Sequence, residues 1–278
     1  MRTLVLAFLL AIAACAGAPK PAAPVAEARP IISGEQRIIS ARAFADERQI
    51  NVWLPPSYAT TDRRYPVLYL LDGAIDQDFP HIAGLAQYGA LSGEFAELIV
   101  VGVETRDRRA ELTWRSSDPA ELRDFPTNGR ADAFREFLTK EVMPLIETRY
   151  RTNGDRALMG ESLAGRIVLE TLMKAPADIN EFVALSPSLW RERGSLATEA
   201  AARFDRYPKG DRRLYLAIAD EAGAMRTAML AVTSALRKSK PKGVAWTFSD
   251  RKDLQHSTIY HREALEALVW AFGAGPSK

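Results

Sequence analysis

The sequence predicts an α/β fold, a doubly wound and mostly parallel sheet with antiparallel strands at its N-terminal side. Three observations carry that prediction. "YPVLYLLDG" and "AELIVVGVET" are continuous apolar runs, as strands covered on both faces require. Runs of this kind then alternate with segments of helical periodicity, which is how crossover helices build a parallel sheet. Ahead of them, "QRIIS" and "RQINVWLPPSY" alternate in polarity and stop at Pro55 and Pro56, as antiparallel strands do.

The later elements follow in order. "ADAFREFLTKEVMPLIETRY" places Phe134, Phe137, Leu138, Val142, Leu145 and Ile146 on one helical stripe. "DRALMGES" is a short apolar strand, and "LAGRIVLETLMKA" returns to helical spacing through Leu163, Ile167, Leu169, Leu172 and Met173. "EFVALSPSLW" reads as strand and loop, residues 195–205 as a helix, and "RRLYLAIAD" as another buried strand. "AMRTAMLAVTSALRKS" is helical, "GVAWTFSD" is a strand, and "STIYHREALEALVWAF" closes the chain as an amphipathic helix.

The N-terminus reads differently. "MRTLVLAFLLAIAACAG" has one arginine, an apolar run too short to span a bilayer, then small residues, the pattern of a signal peptide over residues 1–14. Ile12-Ala13-Ala14-Cys15 resembles the bacterial lipobox, which would leave Cys15 as an acylated N-terminus; the alternative is ordinary cleavage after an Ala-x-Ala site. Cys15 is the single cysteine of the 278 residues, which excludes an intrachain disulfide. Residues 15–30, rich in proline and alanine, form a tether reaching about 45 Å at roughly 3 Å per residue. Residues 31–278 then make one α/β domain. This places the protein in the bacterial cell envelope, lipid-anchored and facing the periplasm or the outer membrane. A net charge of +2 with interspersed signs gives no basic stripe for nucleic acid.

Active groups in such a sheet sit at the carboxyl ends of its strands. Those ends read "LDGAID", "VETRDRR", "GESLAG", "SPSLW", "ADEAG" and "DLQHST". Ser162 lies where a strand turns sharply into a helix, among the small residues Gly160, Ala164 and Gly165. That turn lifts a hydroxyl above the sheet and aims helix N–H groups at an incoming oxyanion. An acid pair, Asp220 and Glu221, follows the strand two beyond it, and His256 follows the next, giving the order serine, acid, histidine. A serine hydroxyl needs such a base. His256 is the candidate base, and either acid can orient it. The backbone N–H of Leu163 and that of Ala74, or else of Ile75, are the candidate oxyanion donors. Arg108, Arg109, Trp114 and Arg115 are candidates to meet a polar or anionic substrate, and Trp190 and His81 to line the pocket. His261 reads as helix surface or a supporting group, and Asp253 as loop surface. Three dispersed histidines and one cysteine make no zinc site, and phosphate-loop and dinucleotide fingerprints are missing, so this chemistry requires no metal and no cofactor.

The blocks "YPVLYLLDG", "GESLAG", "SPSLW", "ADEAGAM" and "HSTIYH" resemble, in order, the esterase family of α/β hydrolases. Its members include enterochelin-esterase-like and S-formylglutathione-hydrolase-like enzymes. The resemblance runs from about residue 37 to 272. It implies the α/β-hydrolase fold and a serine hydrolase that cleaves a small-molecule carboxylic ester through an acyl-enzyme. It also favours Glu221 over Asp220, because the family often carries glutamate in this block; some siderophore-esterase relatives instead suggest a Ser–His dyad. Two positions depart from the family. Ala164 replaces the usual glycine, and Glu161 stands where many members have histidine. The rival readings are an acyltransferase using the same acyl-enzyme, and a surface lipoprotein that keeps the fold without turnover.

Overall fold

The computed structural model describes residues 31, 33–176 and 179–273. The signal peptide, Cys15 and the tether of the sequence reading lie outside the described residues. From Ser33 onward the described residues form one compact unit around an eight-stranded sheet of order β1-β2-β4-β3-β5-β6-β7-β8.

Strands β1 (Glu35–Ala41) and β2 (Asp46–Trp53) pair antiparallel, and β2 pairs antiparallel with β4 (Ile99–Val103). Strand β4 runs parallel to β3 (Tyr65–Leu71), and β5 (Thr152–Glu161), β6 (Glu181–Leu185), β7 (Arg212–Ile218) and β8 (Val244–Asp250) continue the parallel set.

The apolar runs are continuous because both faces are covered. Leu68, Leu70, Met159 and Ala217 pack under α1 (Phe79–Ser92) and α9 (His256–Phe272). Their neighbours Val67, Tyr69, Leu158 and Leu216 point the other way, beneath the helices that connect the later strands. Those are α4 (Ala131–Glu136), α5 (Met143–Arg149), α6 (Leu163–Lys174), α7 (Arg191–Asp205) and α8 (Gly223–Ser239). No helix among the described residues is long and apolar enough to cross a membrane.

Three features were not predicted. Helix α1 supplies the crossover between β3 and β4. The stripe over residues 131–150 is helical but passes through a π-helical turn, Phe137–Val142, just before Pro144. Proline has no N–H to give to the preceding turn and its ring crowds that turn's carbonyl, so the helix widens there. Between β4 and α4 lie two short helices, α2 (Arg108–Glu111) and α3 (Pro119–Asp124).

A buried ion pair ties this last segment to the sheet. Arg48 Nη1 donates to Glu111 Oε1 at 2.8 Å, and both side chains are 2% exposed. The Arg48 guanidinium also lies 3.9 Å over the Phe44 ring and donates to Asp46, while the other Glu111 oxygen accepts from the Arg106 N–H. Removing one partner of such a pair strands the other charge. Glu111→Gln is therefore expected to destabilise the fold by roughly 3 kcal/mol. Urea denaturation measures this, and an unchanged midpoint would show that the pair contributes nothing.

Candidate active site

Strand β5 ends at Glu161 and α6 begins at Leu163, so Ser162 makes the whole turn. Its backbone sits at φ 59°, ψ −116°, a left-handed conformation that costs a non-glycine residue about 1–3 kcal/mol. Three bonds hold it there. The Ser162 N–H donates to Leu185 O, and Ser162 O accepts from the N–H groups of Arg166 and Ser188. A Cβ at Gly160 would lie 2.7 Å from the Ala164 methyl, and one at Gly165 would lie 3.0 Å from Leu185 O. The bare Gly160 thus leaves room for the methyl at Ala164.

His256 is the first residue of α9. It is set in place by a capping box in which Gln255 and Thr258 satisfy each other's N–H groups. Its Nε2 lies 3.0 Å from Ser162 Oγ, and its Nδ1 lies 2.6 Å from Glu221 Oε1. The bond to Glu221 raises the imidazole pKa above its ordinary value, against burial, with the Glu161 charge adding to the rise. Nε2 also lies 3.1 Å from Glu161 Oε1.

Of the two adjacent acids, then, Glu221 meets the imidazole. Asp220 is exposed; its backbone N–H goes to Leu254 O, and among the described residues no hydrogen bond joins its carboxylate to His256. Arg226 sets this choice. Its guanidinium donates to the carbonyls of Ala219 and Glu221 and forks onto the Asp250 carboxylate, which clamps the loop after β7.

As the first residue of α6, Leu163 has an N–H with no acceptor inside the helix, free to face a substrate oxygen. Ala74 is a correction. Its N–H donates to Gln77 Oε1 at 3.0 Å, and the Gln77 amide is itself held by Thr105. It is committed to the loop and does not line the cavity around Ser162.

That cavity has a volume of about 510 Å³. Ser162, Ser188, Glu221 and His256 stand on one side, with Arg108, Arg109, Phe125, Leu163, Trp190 and Met225 as the remaining walls. Arg108 is engaged, donating to Asp72 at 2.8 Å, and Asp72 also accepts from Thr105. Arg109 is exposed and stacks 5.2 Å over Phe125, with no carboxylate partner among the described residues. Phe125 and Trp190 meet at 6.1 Å between ring centroids.

His81 is a second correction. It packs 4.4 Å from the His261 ring and against Tyr260, away from the cavity, because α1 faces α9 at that point. Trp114 donates to Asp132 beneath three cations, and neither it nor Arg115 lines the cavity. Asp253 pairs with Arg251 at the surface.

The sequence reading missed Ser188, whose Oγ lies 3.1 Å from Ser162 Oγ, and also Phe125, Met225 and Arg226. Ser188 was within reach, since it belongs to the strand-end block "SPSLW". Among the described residues no group of three or more His, Cys, Asp or Glu is placed to hold a metal ion.

Comparison with known proteins places this chain among esterases. The chain is 24% identical over 247 residues to the uncharacterized protein YbbA of Bacillus subtilis, covering 84% of this chain and 96% of that one. It is 27% identical over 172 residues to the ferri-bacillibactin esterase BesA of the same organism, 56% of this chain and 58% of the relative. The crystal structure of an IroE-like serine hydrolase from Shewanella oneidensis superposes with a TM-score of 0.77 at 27% identity. That superposition covers 86% of this chain and 80% of the other. The family model described as "Putative esterase" matches residues 41–261. With most of its length inside that match and its strands in the α/β-hydrolase arrangement, this chain belongs to the "Putative esterase" family and is a carboxylic ester hydrolase.

Proposed function

We propose that the protein is a serine esterase that works through an acyl-enzyme on Ser162. The observation that carries this is the line of contacts from Ser162 Oγ through His256 to Glu221, at 3.0 and 2.6 Å, on one wall of the cavity. Ser162 Oγ attacks the ester carbonyl while its proton passes to His256 Nε2. Glu221 on Nδ1 keeps the ring in the correct tautomer and stabilises the imidazolium that forms. The Leu163 N–H faces the negative oxygen of the tetrahedral intermediate. His256 then returns the proton to the leaving alcohol. In the second half, water gives its proton to Nε2, attacks the acyl carbonyl and releases the acid, and Ser162 regains its proton.

The substrate we propose is a small ester with an aromatic or anionic acyl group, of the kind siderophores carry. Arg109 offers a guanidinium that no carboxylate among the described residues occupies, and Phe125 and Trp190 offer flat apolar walls beside it. The names of relatives, among them the ferri-bacillibactin esterase, support the same class. The lipobox at residues 12–15 extends the proposal to attachment in the cell envelope through Cys15.

Ser162→Ala removes one exposed oxygen and should leave the fold intact while lowering ester turnover by about three orders of magnitude or more. An assay with p-nitrophenyl butyrate tests it, and activity within tenfold of wild type would be incompatible with a serine mechanism. Glu221→Gln is expected to lower the rate at pH 7 by ~10²–10⁴-fold, whereas Asp220→Asn changes it little. The reverse result would make Asp220 the orienting acid, and two near-normal rates would mean a Ser–His dyad. For the anchor, wild type should take up a fatty-acid label that Cys15→Ser does not; an unlabelled, soluble wild type would refute lipidation.

A further inference from the structure

We propose that Glu161 is a positioning residue for His256, holding the imidazole by the same nitrogen that faces Ser162. In doing so it sets the pH at which that nitrogen becomes free. The inference rests on reading Ser162 and His256 as the reacting pair, and it goes beyond that reading by adding a second carboxylate to the base.

The geometry is specific. Glu161 Oε1 lies 3.1 Å from Nε2 and Ser162 Oγ lies 3.0 Å from the same atom, while Glu221 occupies Nδ1. Carboxylates thus lie beside both ring nitrogens, hydrogen-bonded at Nδ1 and at ion-pair distance from Nε2. Oε1 of Glu161 is buried and makes no hydrogen bond; what faces it at 3.1 Å is the histidine nitrogen, an ion partner when the ring is protonated. Its position follows from the strand: Glu161 is the last residue of β5, next to the turn that presents Ser162.

Charged and titratable groups face Glu161 from several sides. They are Arg108 on α2, Asp72 after β3, Asp78 ahead of α1, and His256 and Tyr260 on α9. Burial pushes the Glu161 carboxyl up to about 7, His256 and Arg108 hold it down, and Asp72 and Asp78 push it further up. It thus takes up its proton in the range where histidine does, and the two titrate as a pair.

Nε2 offers one site, either a lone pair or a single proton. While one proton remains on the pair, that site is engaged whichever group holds it. An imidazolium donates to the Glu161 carboxylate, and a neutral imidazole accepts from the Glu161 carboxyl. Only after the last proton leaves can Nε2 take the proton of Ser162. Glu161 therefore moves the acidic limb of the rate profile to higher pH. In return, its charge stabilises the imidazolium formed in the transition state.

The test measures kcat/KM for p-nitrophenyl acetate against pH in wild type, Glu161→Gln and Ser162→Ala. Glu161→Gln keeps the shape and removes the charge. The midpoint of the acidic limb should move down by about one pH unit and the plateau should fall by up to about tenfold. A profile scaled as a whole, with its midpoint in place, overturns the inference. An active Ser162→Ala enzyme overturns the serine reading itself; an inactive one beside an unmoved Glu161→Gln midpoint overturns only this inference. NMR titration of His256 in Ser162→Ala, with and without Glu161→Gln, reads the same downward move without turnover, and no move overturns it. Should the glutamine variant fail to fold, Glu161→Asp replaces it in both measurements, because it withdraws the carboxylate by one methylene. A smaller downward move is then expected, and none overturns the inference.

Discussion

The left-handed backbone of Ser162 is the constraint on which the rest of the site depends. A residue with a side chain at φ 59° stays there only when its surroundings over-determine it. Here the surroundings are the carboxyl edge of the sheet and the first turn of α6. Leu185, at the end of β6, accepts the Ser162 N–H, and Ser188, just beyond it, donates back to Ser162 O. Gly160 and Gly165 lack the side chains that would push strand and helix apart. Because β5 lies at the centre of the sheet, with β3 on one side and β6 on the other, the turn is braced from both directions.

Around that turn the chemistry is set by where carboxylates meet cations. His256 faces Glu221 and Glu161; Arg108 faces Asp72; Arg226 faces Asp250. Each pair joins different strands, helices or loops at the carboxyl edge of the sheet, so the electrostatics and the geometry of the site are one system. Arg226 reaches no reacting atom, yet it holds the carbonyls of Ala219 and Glu221 and thereby aims the acid.

The far wall of the cavity is built by a less regular part of the chain. Glu192, Arg193 and Gly194 are three consecutive left-handed residues just after Trp190. Glu121 on α3 holds this turn, accepting the Glu192 N–H at 2.6 Å and facing the buried Arg191 guanidinium at 3.3 Å. Arg191 in turn lies 4.2 Å under the Phe125 ring. The same guanidinium lies 5.5 Å from the Trp190 ring, so one buried cation contacts both aromatic walls of the cavity.

By itself the sequence determined the architecture, because strand and helix periodicity are local properties. The runs at 65–73 and 96–105 required a sheet covered on both faces, and the small residues around Ser162 required a sharp strand-to-helix turn. The order of serine, acid and histidine was likewise legible, since each lies at the end of a strand whose place is set by that periodicity. Side-chain direction and long-range hydrogen bonds were not. Asp220 and Glu221 are neighbours in the chain, and only the Arg226 clamp and the position of α9 decide which of them meets the imidazole. Gln77 claims the Ala74 N–H from three residues away, and α9 draws His81 into an aromatic contact with His261 and Tyr260. Phe125 and Trp190 are far apart in sequence, and both rings meet the buried Arg191 guanidinium that faces Glu121. Glu161 was visible as a carboxylate beside Ser162, but its contact with His256 depends on bringing together the ends of β5 and β8. Tertiary structure decided these points because each depends on a distance between residues that the chain keeps far apart.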